Sequence, residues 1–402
     1  MTSSLARRAV LGVELPPEAF TPEGMRVAGV VAGSMAEVAG VLPGDLLARL
    51  GPWPLRSAIE LRAALREAGA LEVVELTVLR GGAKLSLAAR VERRPAERIE
   101  GAEVLYDEIN SGGARLRVIV TRPEGAQRSP AVLVIQGISF DSVDLGGRPD
   151  SPLFRLIQGL SGAGLVTMRL ERRGVGDSEG ESCESTGFNE QVEDVKVAVR
   201  ALAAYPFVDA RAIFAFGHSV GGMIAPLLEP LGVLRGYIVF GTSSARWLDC
   251  VEASTRRQLL PRGIPPADCE RMGRLDREEL ERGIQGLGPM PWSGGAPGAA
   301  FHRELQATDL ARAWAEVKRP VLLVHGEYDC VVGEEEHAEI ARILSEGRPG
   351  GAEVQMQNIP GLDHSMMRQE SMKASLGYGS GAFDPALVDA TVAFVRRVLD
   401  GG

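Results

Sequence analysis

The chain has 402 residues, of which 45% are hydrophobic and 24% are charged, so it has enough apolar material for a sizeable core and for two domains. Its formal net charge of −9 argues against a nucleic-acid-binding protein, because such proteins present basic surfaces. No stretch of about eighteen apolar residues is present, so we expect no membrane span. The N-terminus does not have the apolar core of a secretory signal, and the four cysteines do not have metal-ligand spacing. We therefore expect a cytoplasmic protein with no bound metal.

Residues 1–95 are expected to form a small β-rich domain. Short alternating apolar patterns predict strands, and the pair Gly81-Gly82 between the last two of them is a hairpin signal. Residues 58–68 are amphipathic with helical spacing, and a shorter helix is expected upstream. The charged, proline-containing stretch 92–98 is interpreted as a linker. The predicted strands cover residues 11–15, 25–31, 46–50, 73–80 and 85–91.

The same region resembles a PDZ domain of the type found in bacterial HtrA-like proteases. The resemblance rests on Leu11-Gly12-Val13 at the start and on the glycine-containing stretches 33–40 and 42–45. It implies that an extended peptide adds as a strand to a sheet edge and that backbone N–H groups bind its C-terminal carboxylate. Leu11, Gly12 and Val13 would then form the peptide-binding loop and strand. The alternative is that this domain only packs on the rest of the chain or mediates a homodimer.

Residues 96–402 show strands that alternate with helices, which is the pattern of a doubly wound α/β fold with a mostly parallel sheet. Residues 131–135 form a continuous apolar run, as expected for a strand that is buried on both faces. Further strands are predicted over residues 104–109, 116–121, 165–170, 213–216, 237–240, 321–324 and 353–359, and helices over 151–163, 189–204 and 385–399.

The stretch Gly217-His218-Ser219-Val220-Gly221 lies between an apolar strand and a helix start. This arrangement is that of a nucleophile elbow, which exposes a serine hydroxyl above a sheet. The turn is so sharp that its closest neighbours must not carry a Cβ, a condition that the two glycines meet. The pattern alone is weak in a chain with 49 glycines, because it also arises by chance. A serine hydroxyl also needs a base and an orienting carboxylate to become nucleophilic.

The elbow and the Arg-Gly-x-Gly-x-Ser stretch at residues 173–178 together make this region resemble the α/β-hydrolase superfamily. The resemblance extends over residues 96–402. It is closest to the bacterial serine hydrolases that are related to dipeptidyl aminopeptidases and acyl-esterases. The resemblance implies a catalytic triad in the chain order serine, acid, histidine, with an acyl-enzyme intermediate and no cofactor.

The resemblance assigns the triad to Ser219, Asp329 and His364. His364 matches the superfamily's Gly-x-x-His loop after the last strand, and it is taken as the base among the five histidines of the chain. Asp329 matches the acid of a His-Gly-x-x-Asp stretch that follows the penultimate strand. Glu327 is the alternative acid, and Asp363 lies too close to the histidine in the sequence to reach its ring easily.

Two backbone N–H groups are expected to form an oxyanion hole, which stabilises the negative charge that develops on the substrate carbonyl. One should come from Val220, directly after the nucleophile. The resemblance places the other in the loop after residues 131–135, where we assign it to Ile138. Many relatives carry a histidine before the glycine of this loop, whereas this chain carries Gln136.

Residues 243–318 separate two predicted strands and are expected to form a helical cap, because the superfamily inserts its lid at this place. Trp247, Met290, Trp292 and Phe301 are candidates for the wall of an apolar substrate pocket. The alternative is that these four side chains form the small core of the cap itself.

These observations predict a two-domain serine hydrolase that cleaves a carboxylic ester or thioester of a small-molecule or peptidyl acyl substrate. An aminopeptidase-like peptidase, or an acyltransferase or cyclase, would use the same triad and stays an alternative. A different class is an inactive scaffold whose PDZ-like domain carries the function. Labelling of Ser219 by a fluorophosphonate probe discriminates between an enzyme and a scaffold.

Overall fold

Residues 13–90 form a β-rich unit that precedes the large sheet in the chain. The computed structural model of the protein describes residues 5–16, 18–139, 141–291, 297–346, 353–377 and 381–401. The elements of the first unit are the strands β1 (Val13–Glu14), β2 (Phe20–Thr21), β3 (Gly24–Arg26), β4 (Gly29–Val30), β5 (Leu46–Leu50), β6 (Trp53–Pro54), β7 (Val73–Arg80) and β8 (Ala83–Arg90), and the helices α1 (Met35–Ala39) and α2 (Ala58–Ala68).

The main sheet of this unit has the strand order β2–β3–β5–β7–β8, with β6 paired to β5, and neighbouring strands are antiparallel. The sequence predicted one strand over residues 25–31. The structure divides it, because β3 pairs with the main sheet whereas β4 pairs with β1. The hydroxyl groups of Ser34 and Ser57 cap α1 and α2, since each accepts the backbone N–H three residues further on.

The rest of the described chain is built on an eight-stranded sheet with helices on both faces. Two strands at its start form a hairpin, and the later strands alternate with helices as predicted. The elements are the strands β9 (Ala102–Ser111), β10 (Ala114–Pro123), β11 (Ser129–Ile135), β12 (Val166–Leu170), β13 (Val208–His218), β14 (Leu234–Phe240), β15 (Val321–Gly326), β16 (Val354–Ile359), β17 (Met367–Arg368) and β18 (Ala382–Phe383), and the helices α3 (Pro152–Gly162), α4 (Phe188–Ala203), α5 (Val220–Ile224), α6 (Trp247–Leu259), α7 (Pro266–Ile284), α8 (Ala299–Ala307), α9 (Leu310–Glu316), α10 (Glu334–Glu346), α11 (Met372–Ser375) and α12 (Ala386–Asp400).

The eight strands follow the order β16–β15–β14–β13–β11–β12–β10–β9. The pairs from β16 to β12 are parallel, and the pairs of β10 with β12 and β9 are antiparallel. This confirms the predicted doubly wound, mostly parallel sheet. Successive residues of a buried strand point to opposite faces, so Val132 and Phe214 belong to one apolar core while Leu133 and Ala215 belong to the other. The continuous apolar runs of the sequence reflect this two-sided burial.

The carboxyl ends of the parallel strands lie along one edge of the sheet, which is where ligands bind in open α/β sheets. β13 leads directly into Ser219, and β15 ends three residues before Asp329. β16 is followed by the loop that carries His364, and β11 leads into residues 136–139. Four segments that are far apart in the sequence therefore meet at this edge.

The segment between β14 and β15, where a cap was expected, is helical. Its described residues form the helices α6, α7, α8 and α9. Leu248, Val251 and Leu280 form a small apolar cluster with Trp247 and Met290, which holds α6 and α7 together. No helix in the described part of the chain is both long and apolar enough to cross a bilayer.

The N-terminal segment and the linker are held against the large sheet by buried ion pairs. Arg7 lies 2.5 Å from Asp144 and 3.0 Å from Asp177, and both carboxylates are buried. In the linker, Glu97 accepts two hydrogen bonds from Arg169, of 3.0 and 2.8 Å, and neither side chain is exposed to solvent. The division of the chain at residue 95 stays a prediction, but segments on both sides of it contact this group of buried charges.

Candidate active site

Ser219 lies on a strained turn between β13 and α5. Its φ of 54° and ψ of −123° are outside the regions that non-glycine residues normally adopt. Such a conformation costs about 1–3 kcal/mol. A Cβ at Gly217 would lie 2.6 Å from the carbonyl oxygen of Gly221, and a Cβ at Gly221 would lie 2.1 Å from that of Ile135. Both glycines are therefore required by the close contacts of the turn with itself and with β11.

His364 and Asp329 form a hydrogen-bonded pair, with His364 Nδ1 at 2.8 Å from Asp329 Oδ2. The other carboxylate oxygen accepts the N–H groups of Val331 and Val332, both at 2.8 Å, which fixes the carboxylate in place. Burial raises the pKa of Asp329, but the His364 ring and these N–H groups lower it by more, so the net pKa lies below the usual value. The ionised carboxylate keeps the imidazole proton on Nδ1 and leaves Nε2 free to accept a proton.

The two other acidic residues considered for this role hold the loop that carries His364. Glu327 Oε2 accepts the N–H of Gly361 at 2.8 Å. Asp363 accepts two backbone N–H groups of its own loop, at 2.8 and 2.9 Å. Among the three carboxylates, Asp329 is thus the one that is bonded to the imidazole ring.

Sequence reasoning did not identify two further neighbours of this pair. His218 Nε2 lies 2.9 Å from the carbonyl oxygen of His364, and its ring stacks on Phe240. Burial, together with the adjacent His364 ring, lowers the pKa of His218 to about 3, so this histidine is neutral and donates to the carbonyl. A Cβ at Gly241 would lie 2.8 Å from His364 Nδ1 and 2.9 Å from Asp329 Oδ2, so a larger residue does not fit there. Its position next to Ser219 in the sequence is the signal that could have identified His218.

The two residues assigned to the oxyanion hole lie on the wall of one cavity. Ile138 and Val220 line it together with Ser219. A Cβ at Gly137 would lie 2.8 Å from the Cβ of Ser219, so the loop after β11 passes directly beside the serine. Arg172 donates hydrogen bonds to the carbonyl groups of this loop, and no role was assigned to this arginine from the sequence.

The cavity that contains Ser219 has a volume of about 430 Å³, and His364 also reaches it. Met223 of α5 and the side chains of Val331 and Val332, in the loop after β15, form one part of its wall. Helix α6 forms another part with residues that lie on one helical face. These residues are Trp247, Cys250, Val251, Ser254, Thr255 and Gln258.

The four residues expected to line a pocket have different environments. Trp247 lines the cavity, whereas Met290 packs in the apolar cluster of α6 and α7. Phe301 is buried in the core instead, where its ring packs edge-on against Phe188 with the centroids 5.7 Å apart. Trp292 lies outside the described residues. Met290, which follows α7 in the chain, and Phe301 of α8 therefore contribute to packing, and neither lines the cavity.

The residues expected to bind a peptide are bonded within their own unit. Leu11 is buried, and its carbonyl oxygen accepts the N–H of Ala36 at 2.9 Å. Gly12 has a φ of 75°, and its carbonyl oxygen accepts the N–H of Val31 at 2.9 Å. Val13 lies in β1, which pairs with β4. Peptide binding at this segment stays a prediction.

The chemical groups at this edge of the sheet are a serine hydroxyl, an imidazole bonded to an ionised carboxylate, and backbone N–H groups. Together they can make a hydroxyl nucleophilic, take up its proton and return that proton to a leaving group. In the part of the chain that the structure describes, no group of three or more histidine, cysteine, aspartate or glutamate residues could hold a metal ion.

Comparison with known proteins gives the family of the second part of the chain. The model of the Alpha/beta hydrolase family (Abhydrolase_6) matches residues 132–374. Esterase EstD from Thermotoga maritima is 25% identical over 271 residues, which cover 67% of this chain and 63% of EstD. The matched region therefore spans less than two thirds of that relative.

Solved structures show the same fold. Est1E from Butyrivibrio proteoclasticus, solved with bound ferulic acid, has a TM-score of 0.50 at 16% identity, over 73% of this chain and 99% of that chain. The alpha/beta hydrolase GrgF from Penicillium sp. sh18 has a TM-score of 0.50 at 15% identity, over 74% of this chain and 99% of that chain. At such identities the likeness concerns the fold alone, and it confirms the expected α/β-hydrolase fold. Because the family model matches more than half of the chain, this protein belongs to the alpha/beta hydrolase family.

Proposed function

We propose that the protein is a serine esterase that cleaves a carboxylic ester of a small molecule through an acyl-enzyme intermediate. Ser219 Oγ attacks the ester carbonyl carbon while His364 Nε2 takes its proton. The N–H groups of Ile138 and Val220 stabilise the oxyanion of the tetrahedral intermediate. The intermediate collapses to the acyl-enzyme, and the leaving alcohol takes the proton from His364. Water then attacks the acyl-enzyme in the same way and releases the carboxylic acid.

The observation that carries this proposal is the hydrogen bond between His364 and the buried Asp329 at the cavity that contains Ser219. The carboxylate favours the imidazolium that forms when the serine loses its proton. The backbone strain at Ser219 adds support, because such conformations cluster at active sites. The similarity to Esterase EstD supports an ester as the substrate.

A fluorophosphonate probe tests the proposal, because it reacts with an activated serine. We expect one label per full-length chain, mapped to Ser219 by peptide mass spectrometry, and hydrolysis of short-chain 4-nitrophenyl esters. Heat-denatured protein serves as the control and should not be labelled. If the folded protein neither reacts with the probe nor hydrolyses any ester, the esterase proposal is wrong and the inactive scaffold is favoured.

Thioester cleavage, peptide cleavage and acyl transfer use the same groups and differ in the bond that is broken or in the acceptor. We place ester cleavage first because the name of the curated relative EstD is that of an esterase. Parallel assays with thioesters, aminoacyl amides and added alcohol acceptors distinguish these reactions.

A PDZ-like, peptide-binding role for residues 1–95 and a cytoplasmic location belong to the proposal as well, and the antiparallel β-rich unit supports the first of these.

The polar side chains on the cavity-lining face of helix α6 lead to an expectation about the substrate. Ser254, Thr255 and Gln258 line the cavity together with Glu336 of α10. A polar wall is costly to desolvate unless the ligand satisfies it with hydrogen bonds. An ester that carries a hydroxyl or amide group should therefore be cleaved more efficiently than an alkyl ester of the same length.

Replacing Ser254 by alanine together with Gln258 by leucine should weaken this preference. We expect kcat/KM for a hydroxylated ester to fall about 5–10-fold relative to that for the alkyl ester of equal length, since a typical hydrogen bond contributes about 1 kcal/mol. Asp249→Asn, on the exposed side of the same helix, is the control and should leave the ratio unchanged. An unchanged ratio in the double variant would mean that α6 does not select the substrate.

A further inference from the structure

Arg172 binds the loop that passes beside the nucleophile. It follows β12, and its guanidinium reaches the residues that follow β11. Nη1 donates to the carbonyl oxygen of Ser139 at 2.5 Å, and Nη2 donates to that of Gln136 at 3.2 Å and to that of Gly137. Nε donates to Gln191 Oε1 at 3.2 Å, so helix α4 anchors the guanidinium from the other side. The arginine thus holds three carbonyl groups that flank Ile138.

The bond to Gly137 fixes the direction of the Ile138 N–H. The carbonyl of Gly137 and the N–H of Ile138 belong to one planar peptide unit, and the chain has no cis peptide bond in its described residues. In a trans peptide the C=O and N–H bonds point in opposite directions. Because Arg172 holds the oxygen on one side of this unit, the N–H is presented on the other side. Gly137 and Ile138 both line the cavity that contains Ser219.

We propose that Arg172 is a positioning residue for the oxyanion hole: by holding the Gln136, Gly137 and Ser139 carbonyls, it aims the Ile138 N–H at the reacting carbonyl oxygen. This inference rests on the proposed serine esterase function. A planar guanidinium suits the task, because its fork of N–H donors can bind several acceptors in a fixed geometry, whereas a lysine ammonium is a compact charge on a flexible stem. All four of these hydrogen bonds go to neutral oxygen atoms, so the guanidinium holds these partners through its N–H donors and not through ion pairs.

The neighbouring Arg173 has a different environment and offers a matched control. It donates to both carboxylate oxygens of Asp194, at 2.8 and 2.7 Å, and to the carbonyl of Ser111 at 2.8 Å. These contacts tie the loop after β12 to α4 and to the β9–β10 turn. A change at Arg173 should therefore affect stability, whereas a change at Arg172 should affect the transition state.

The test compares Arg172→Met, Arg172→Lys, Arg172→Ala and Arg173→Lys in the full chain. For Arg172→Met we expect kcat to fall about 10–100-fold with KM within twofold, because a donor that is displaced or misdirected no longer stabilises the oxyanion. Affinity for a trifluoromethyl ketone, which forms a tetrahedral adduct with the serine, should fall by the same factor. Arg172→Lys should lose nearly as much, and added guanidinium should partly restore Arg172→Ala. For Arg173→Lys we expect a lower melting temperature with kcat and adduct affinity within twofold.

The outcomes separate this inference from the proposed function. The first measurement is ester hydrolysis by the unmodified protein and by Ser219→Ala. If hydrolysis does not depend on Ser219, the proposed function and this inference are both wrong. If it depends on Ser219, but Arg172→Met binds the trifluoromethyl ketone as tightly as the unmodified protein does, the inference alone is overturned. Circular dichroism checks that each variant is folded, and Arg172→Lys serves in the comparison if the methionine variant does not fold.

Discussion

Replacing Ser219 by alanine is expected to abolish ester turnover while leaving the fold intact. In the proposed mechanism the removed atom forms the acyl-enzyme, so only catalysis by the proposed oxyanion hole and by substrate binding remains, and kcat should fall by about 10⁴-fold or more. Alanine keeps the Cβ and therefore the strain of a φ of 54°, so the free energy of unfolding should change by less than about 1 kcal/mol. Steady-state kinetics with a 4-nitrophenyl ester and urea unfolding measure the two quantities.

The double variant with His364→Ala tests whether the two residues act as one unit. If they do, the combined loss in kcat should be close to that of either single variant, because the base has no function without the nucleophile. Ser161→Ala, a buried serine in α3, is the matched control and should retain full turnover. Losses that add up in the double variant would show that Ser219 and His364 act independently and that the triad assignment is wrong.

The α/β fold and the elbow could be predicted because their signals are local in the sequence. Two strand segments, residues 131–135 and 321–324, are apolar at every position and do not alternate with polar residues. Burial on both faces of a sheet requires this pattern. Gly217 and Gly221 mark the elbow because the backbone approaches itself too closely for a Cβ. The acid Asp329 and the base His364 were identified through resemblance to the superfamily, because the local sequence does not show which carboxylate is bonded to His364.

Features that depend on distant partners were not visible in the sequence. The pattern of α10 does not show that the His337 ring is buried near His325, with the ring centroids 5.5 Å apart. Similarly, no local signal connects Arg172 with the loop after β11. The charged stretch 92–98 resembles a solvated linker by composition, yet it contributes Glu97 to the interior. A charged side chain is predicted to be exposed to solvent. It is buried only where a side chain from a distant part of the chain pairs with it.

Replacing Arg169 by methionine is expected to destabilise the protein strongly. Arg169 and Glu97 are both fully buried and share two hydrogen bonds, and Arg169 also donates to the Val143 carbonyl at 2.8 Å. Methionine has a similar length but leaves the Glu97 carboxylate buried and without its counter-charge. Breaking a buried ion pair in this way typically costs about 3–5 kcal/mol. Urea unfolding of the full chain should therefore show a clearly lower midpoint.

Replacing Glu97 with methionine as well tests whether the unpaired carboxylate causes this loss of stability. Apolar residues in place of both charges are often tolerated, because the cost of desolvating the ions disappears with their attraction, so the double variant should regain much of the stability. Recovery should be incomplete, since the Leu145 N–H, which donates to Glu97 at 2.6 Å, loses its acceptor. Arg56→Met, which breaks the exposed pair with Glu60, is the control and should leave the midpoint unchanged. If the double variant is less stable than Arg169→Met, the pair is itself a net source of stability, and an uncompensated carboxylate is not the reason for the loss.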